Sequence, residues 1–425
     1  MGKFKINGGK VLSGTLSVSG NKNSVLPMIA AALLTDETVT LKNVPDILDV
    51  ANMLETASYL GVEVTRNKST LVLNASKIRN NSIPKHLCDR TRTSLLFTGP
   101  LLMRTGGASL WPPGGDVIGR RRLDSHFYGL TTMGAKLLSE NYPYVFKVER
   151  ISGKDLFLDE ASVTATEHIM MTATLADGVT FIRNAAAEPH VQDLANFLNS
   201  MGADIRGIGT NTLEIHGVEK LTGTTYSVCE DHIEAGSFLA MAAATGGGVT
   251  LQGITPKHFW MTRRVFEKFG IHFEFKDNAL IMPPGQELVI KPDLSNAIPV
   301  ISDGPWPQYP SDMMSCTIVM ATRTRGNVLF FEKMFESRIY FVDNLIRMGA
   351  NAIVCDPHRV VISGPTELRP TKMSSPDIRA GMALLIAALC AKGTSIIDHA
   401  DVIKRGYESV VEKITALGGD IEDIT

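Results

Sequence analysis

Six times along the chain a strongly apolar stretch gives way to a short strand-like run, then to an amphipathic segment. Each round closes on a hydrophobic-glycine-hydrophobic or closely similar stop. The stops are Leu60-Gly61-Val62, Met133-Gly134-Ala135, Met201-Gly202-Ala203, Phe269-Gly270-Ile271, Met348-Gly349-Ala350 and Leu417-Gly418-Gly419, and their glycines recur every 68 to 79 residues. A glycine just past a helix end can take the left-handed conformation that terminates it. The pattern therefore predicts an amphipathic helix before each stop. A short strand follows, such as Val62-Glu63-Val64 or Ala352-Ile353-Val354. Recurrence at a fixed period signals a repeat architecture.

The upstream halves match as well. Segments such as HIMMTATLADGVTFIRNA and GSFLAMAAATGGGVTLQGI begin with a helix rich in Ala, Leu and Met. Gly107, Gly178, Gly248, Gly326 and Gly393 precede the next strand in five copies, and Thr35-Asp36-Glu37 takes that place in the first. A helix apolar on most faces is buried. Each unit should then hold one helix inside and its sheet outside, reversing the usual α/β barrel. The expected fold is α/β: two similar lobes forming an inside-out α/β barrel, three helix/strand units per lobe, with a ligand cleft between lobes. Residues 1–20 read as strands (Lys3 to Ile6, Gly14 to Val18) that pair with the C-terminal lobe. A crossing near Gly20-Asn21 and a return near Cys229-Glu230-Asp231 divide the chain into a lobe of residues 22–229 and a lobe of 1–21 plus 230–425.

Length and composition narrow the class. The 425 residues are too many for one ordinary core, and 44% hydrophobic with 20% charged residues is ordinary for a globular protein. The formal net charge of −2 argues against a nucleic-acid protein but leaves room for an anionic small substrate. No apolar run reaches the roughly 18–20 residues of a membrane helix, and the N-terminus lacks a signal-like apolar core, so a cytoplasmic location is expected. Cys88, Cys229, Cys316, Cys355 and Cys390 form no CxxC pair and have no histidine cluster, which predicts buried free thiols and no metal site. P-loop, zincin and nucleophile-elbow motifs are absent, and the ten histidines are scattered.

Three places could carry chemistry. Lys22-Asn23 stand just before an apolar helix, where a lysine can meet a phosphate or carboxylate with help from the helix dipole; alternatively Lys22 is a solvated surface lysine. The loop from Trp111 to Arg122 is rich in Pro and Gly and ends in three arginines, so it reads as a mobile lid of the first lobe or as a plain surface turn. Asp312 follows Ser311 at the start of a predicted helix, as an acid–base group or as a helix cap.

Taken together, the six repeats, Ser19-Gly20-Asn21-Lys22-Asn23-Ser24 and Pro113-Gly114-Gly115-Asp116-Val117-Ile118-Gly119 resemble the enolpyruvyl transferases. Tyr309-Pro310-Ser311-Asp312-Met313, Phe335-Glu336-Ser337-Arg338 and Arg405-Gly406-Tyr407-Glu408 extend the resemblance over essentially the whole chain and place it in the nucleotide-sugar branch. The resemblance implies transfer of an enolpyruvyl group from phosphoenolpyruvate to the 3-hydroxyl of UDP-N-acetylglucosamine, the first committed step of peptidoglycan precursor synthesis, with no metal or organic cofactor. It implies that Lys22, Asn23, Arg121, Arg379 and Arg405 bind phosphoenolpyruvate, whose two anionic groups suit forked guanidinium ions. It implies that Asn23, Arg92, Arg121, Arg122, Leu123, Asp124, Ser125, Ser162, Val163, Asp312 and Met334 bind the nucleotide sugar. Lys22, Asp116, Asp312 and Arg405 are the implied catalytic set, with Asp116 as general acid and Asp312 as base. It says nothing of oligomeric state.

The chain also departs from the family pattern. Asp116 stands where many members have the cysteine that the epoxide inhibitor fosfomycin alkylates, which implies resistance. Glu160 replaces a usual lysine, Thr164 a glycine, Leu96 a tryptophan, Arg122 a proline, His190 a glutamate and His232 an arginine. Several of these lie toward the nucleotide end of the implied site. Three rival readings remain open. One is a paralogue acting on another nucleotide. Another is a 3-phosphoshikimate enolpyruvyl transferase, disfavoured by the Gly-Gly-Asp loop and Arg405-Gly406-Tyr407-Glu408. The last is a non-catalytic ligand sensor.

Overall fold

The computed structural model describes residues 2–116, 118, 119 and 122–424. Arg121, implied to touch both substrates, and Val117 of the lid lie outside the described residues. The chain forms two compact units. One comprises Gly20–Gly115 and Arg121–Cys229; the other comprises Met1–Ser19, Asp116–Arg120 and Glu230–Thr425. Each has its own continuous hydrophobic core. Asp116 thus groups with the unit containing the C-terminal half, which corrects the expectation that the whole lid loop belongs to the first lobe.

The predicted repeat is present six times, each built on a four-stranded sheet, three sheets per unit. The sheets are separate and cover the buried helices from outside, the inside-out arrangement that the sequence suggested, built from three sheets per unit and not from one closed sheet. One copy serves for all. Strands Val300–Ser302, Gly326–Phe331, Arg359–Gly364 and Ala352–Asp356 lie side by side in that order; the first pair is parallel and the other two pairs are antiparallel.

The last sheet shows how the chain ends are used. Its third place, between Gly393–Asp398 and Ile421–Asp423, is taken by the N-terminal strand Lys3–Gly8. Phe4 and Ile6 of that strand are fully buried while Lys3 and Lys5 face outward, the period-two alternation of a half-buried strand. The next strand, Gly14–Ser17, leads another sheet of the same unit, parallel to Val249–Gln252.

The apolar helices sit inside. All thirteen residues of His232–Ala244 are buried. In Ser311–Thr322 every residue is buried except Asp312. Such helices present apolar atoms on every side, so three of them pack together within each unit and the sheets cover them. The six stop glycines have φ of +108°, +120°, +100°, +78°, +97° and +92° in chain order, the left-handed turn that ends each amphipathic helix. The expectation of buried thiols holds for Cys88 and Cys316; Cys355, on an outer strand with its side chain outward, is exposed.

Candidate active site

In the unit containing the C-terminal half, Asp312 is the focus. It lies in the first turn of Ser311–Thr322, whose N-cap position is Pro310, so the cap reading is set aside. Two arginines hold its carboxylate instead. Arg338 Nη1 donates to Oδ1 at 2.7 Å, and Arg379 donates to Oδ2 from Nε at 3.0 Å and Nη2 at 2.9 Å. Both arginines are only 5% exposed. Burial works against such cations, yet the neighbouring acidic groups together, Asp312 foremost, hold both above the ordinary arginine range. Asp377 acts on Arg338 and Asp231 on Arg379 as well, so the two buried guanidinium ions sit among several acidic side chains. Arg379 Nη1 is buried and has no hydrogen-bond partner among the described residues.

Arg379 is placed by its own helix. Asp377 caps Ile378–Cys390 by accepting from the backbone N–H groups of Arg379 and Ala380, both at 2.9 Å. The Tyr407 ring lies under the guanidinium, 5.4 Å from ring centre to Cζ, and the Tyr407 hydroxyl meets Ser237 at 2.8 Å. Close by in sequence, Arg405 Nη1 donates to Asp116 Oδ1 at 2.6 Å. The proposed acid of the lid is therefore bonded to a predicted phosphoenolpyruvate ligand.

Met334, 38% exposed, is held from behind by Glu332. Glu332 Oε1 accepts from the N–H groups of Met334 at 3.2 Å and Phe335 at 3.1 Å, and Ser311 Oγ donates to the same carboxyl at 2.9 Å. Glu332 and Asp303 are both fully buried, the Asp303 carboxyl is near enough to act on Glu332, and Asp303 Oδ2 has no hydrogen-bond donor among the described residues. A proton on Glu332 supplies that donor. Burial and then the Asp303 carboxyl push Glu332 up to about 9. One buried acid pair thus supports both the Met334 loop and the residue preceding Asp312.

In the other unit Lys22 is the first residue of the helix Lys22–Ala31. It is 8% exposed and its Nζ lies 2.7 Å from Asp49 Oδ2, which removes the surface-lysine reading. Asn21 caps the helix by accepting from the N–H groups of Asn23 at 2.9 Å and Ser24 at 3.3 Å. The turn Arg92–Phe97 packs against this helix. Arg92 Nη2 donates to the Arg122 carbonyl at 3.0 Å. Arg122 forks onto Asp124 at 2.9 and 2.7 Å. Leu123 immediately precedes the helix Asp124–Thr132, with Ser125 in its first turn, and this helix packs against Val163–Ala173. Ser162 caps the latter, accepting from the Ala165 N–H at 3.4 Å, and Val163 is its first residue.

The departures from the family pattern fall into two kinds. Leu96 is fully buried, and His190 and His232 are nearly so. Burial and then His258 lower His232 to about 3, so it is a neutral packing residue beside Trp306. Arg122, by contrast, is at the surface, and Asp124 first, then Glu160 and Asp159, raise its guanidinium. The cavity bounded by Arg264, Lys268, His272 and Lys291 contains no predicted site residue.

Comparison with known proteins decides the family. The EPSP synthase family, 3-phosphoshikimate 1-carboxyvinyltransferase, matches residues 6–414. A UDP-N-acetylglucosamine 1-carboxyvinyltransferase of Borrelia garinii subsp. bavariensis is 49% identical over 100% of this chain and 99% of its own. One from Bradyrhizobium diazoefficiens is 49% identical over 99% and 98%. The chain belongs to the UDP-N-acetylglucosamine 1-carboxyvinyltransferase family. Members of this family and its structural neighbours are enolpyruvyl transferases. The solved enolpyruvyl transferase NikO from Streptomyces tendae shares the fold, with a TM-score of 0.89 at 22% identity, over 100% of this chain and 99% of that one.

Within this family frame, sequence reading missed several supporting residues. Arg338 stood in a quoted motif without a role, although it grips Asp312. Asp49, Asn21, Asp377 and the Asp303–Glu332 pair had no local signal beyond their residue types. Asn21 and Asp377 act locally as helix caps, on the N–H groups two and three residues on, whereas Asp49 meets a partner that only the fold brings near.

Proposed function

We propose that this protein transfers the enolpyruvyl group of phosphoenolpyruvate to the 3-hydroxyl of UDP-N-acetylglucosamine and releases phosphate, the first committed step of peptidoglycan precursor synthesis. Both substrates are cytoplasmic metabolites, so the proposal carries a cytoplasmic location. The observation that carries it is the Asp312 carboxylate gripped by Arg338 and Arg379, with one buried Arg379 N–H left over for an anion. A fixed carboxylate beside two guanidinium ions suits removal of a hydroxyl proton next to an anionic co-substrate.

In this reading Asp116 delivers a proton to the vinyl carbon of phosphoenolpyruvate, leaving an oxocarbenium-like centre at the adjacent carbon. The acceptor oxygen attacks that centre and its proton passes to Asp312. In the second half Asp116 takes a proton back from the methyl group. The carbon–oxygen bond to phosphate then breaks, and the proton held by Asp312 leaves with the phosphate. Arg405 and Arg379 offset the phosphate and carboxylate charges, and Arg405 passes from Asp116 to the substrate anion. Lys22 and Arg121 complete the anion set, and Asn23, Arg92, Arg122 to Ser125, Ser162, Val163 and Met334 hold the acceptor. The reaction needs no metal.

The aspartate at position 116 cannot form the thioether adduct of a cysteine, so we also propose that fosfomycin leaves the enzyme active. The test is phosphate release from phosphoenolpyruvate with UDP-N-acetylglucosamine in the parent, Asp116→Asn and Asp116→Cys proteins. Turnover in the parent, lost in the Asn variant and fosfomycin-sensitive only in the Cys variant, supports the whole reading. Covalent inactivation of the parent by fosfomycin removes the role of Asp116. A second reading, transfer to a different nucleotide, draws on Glu160 and Thr164 among the acceptor residues; turnover with another nucleotide sugar but not with UDP-N-acetylglucosamine would select it.

A further inference from the structure

A buried chain of polar groups behind the acceptor residues has directions fixed by a single backbone N–H. Gly99 N donates to His168 Nε2 at 2.9 Å. A Cβ at Gly99 would stand 2.3 Å from Thr172 Oγ1 and 3.0 Å from the His168 ring, so only glycine lets the backbone approach this closely. Burial lowers His168 to about 3, and the ring is neutral. Because its Nε2 accepts, its one proton is on Nδ1. His168 Nδ1 lies 3.1 Å from His126 Nδ1, so His126 accepts there and carries its own proton on Nε2. His126 Nε2 lies 3.1 Å from Thr164 Oγ1 and donates to it. The Thr164 oxygen is thereby used as an acceptor. Its own hydroxyl hydrogen finds no acceptor among the described residues, and Thr164 is partly exposed, one residue beyond Val163.

We propose that Thr164 is a specificity-determining residue: the His168–His126 pair turns its hydroxyl outward as a hydrogen-bond donor to an oxygen of the acceptor nucleotide. This rests on the proposed function and deepens it. The oxygen belongs to the pyrimidine base or to the diphosphate, two groups with the same acceptor chemistry. His126 and His168 are positioning residues that act through Thr164. A glycine at position 164 would offer no such donor, so this chain has a contact that its alternatives lack.

The test is binding of UDP, UMP and UDP-N-acetylglucosamine to the intact chain by titration calorimetry, with steady-state kinetics alongside. Thr164→Val keeps the shape and removes the donor; Thr164→Ser restores it. The Val variant should bind UDP and UDP-N-acetylglucosamine about five- to tenfold more weakly, the loss expected for one hydrogen bond. KM for the acceptor should rise and kcat stay, and the Ser variant should return both toward the parent. Loss on UMP as well as on UDP assigns the contact to the base or the inner phosphate, which uridine alone then separates; loss on UDP alone assigns it to the outer phosphate. His126→Phe should show the same KM rise as Thr164→Val, with no further effect when the two are combined. Equal binding by the parent and the Val variant overturns the inference while leaving the proposed reaction intact. Failure of the parent to bind any uridine nucleotide overturns both.

Discussion

At the scale of single residues, charge placement decides what each group can do. Asp312 sits between two buried arginines, so its replacements should separate chemistry from stability. Asp312→Asn keeps an acceptor oxygen and should lose turnover by about 10²–10⁴-fold, the usual worth of a general base, while still folding. Asp312→Ala also strands two buried guanidinium ions and should cost roughly 3 kcal/mol of stability. Phosphate release and urea denaturation of the two variants beside the parent test this; since both lack the charge, parent-like stability in both would remove Asp312 as the charge partner of Arg338 and Arg379. Glu332 makes a pH prediction of the opposite sign to an ordinary carboxylate. Its folded-state value is raised to about 9 from 4.5. The stability it contributes is full below the unfolded value and is lost as pH rises through the folded one. Between pH 7 and 9 this group should therefore lower stability by up to about 1.4 kcal/mol per pH unit. Glu332→Gln keeps an oxygen for Met334, Phe335 and Ser311 and an N–H for Asp303 at every pH. Its urea midpoint should show a flatter decline over that range, and an unchanged slope would show that Asp303 and Glu332 share no proton.

At the scale of elements, the stop glycines are the most telling test because their surroundings differ. Gly202 has φ +100° and a Cβ there meets nothing within 4 Å; Gly61 has φ +108° and a Cβ there would lie 2.5 Å from the Lys77 carbonyl. Gly202→Ala should cost about 1–2 kcal/mol, from backbone conformation alone. Gly61→Ala adds a clash with backbone and should cost about 1–3 kcal/mol more. Thermal melts of the two variants compare them directly, and equal losses would mean that conformation alone governs both stops. These glycines are also why the repeat could be read in advance: a left-handed helix end nearly demands one residue type, and apolar helices announce their burial through composition. Partnership leaves no such trace. His126 and His168 stand 42 positions apart and face each other through the packing of two helices. Lys22 looked like a lysine before a helix, whereas it is inside the first turn and paired to Asp49, because Asn21 had already taken the capping role. Asp303 and Glu332 read as two ordinary acids until the sheet brings them together.

At the scale of the whole molecule, the order of strands implies that the chain is a cycle cut open. In five sheets the third strand follows the fourth directly in sequence. In the last sheet Ile421–Asp423 is followed in that role by Lys3–Gly8, the beginning of the chain. Ile424 N donates to the Lys3 carbonyl at 2.8 Å, so the two ends of the described chain already lie side by side. Joining them with a hairpin-length linker of about four residues asks little of the backbone. The chain can then be opened in the exposed loop at Glu219–Lys220, ahead of the strand Thr225–Ser227 that leads the next sheet. Such a permutant should fold, melt within a few degrees of the parent and keep phosphate release. Deleting residues 2–12 should behave differently, since it removes an interior strand and the fully buried Phe4, Ile6 and Leu12. At roughly 1.5–3 kcal/mol for each buried side chain, that loss rivals the 5–15 kcal/mol by which a typical domain is stable. Circular dichroism and gel filtration distinguish the outcomes. A permutant that fails to fold while the deletion survives would mean that residues 3–8 merely decorate a finished sheet. The reverse result would establish that the first strand of the chain completes its last repeat.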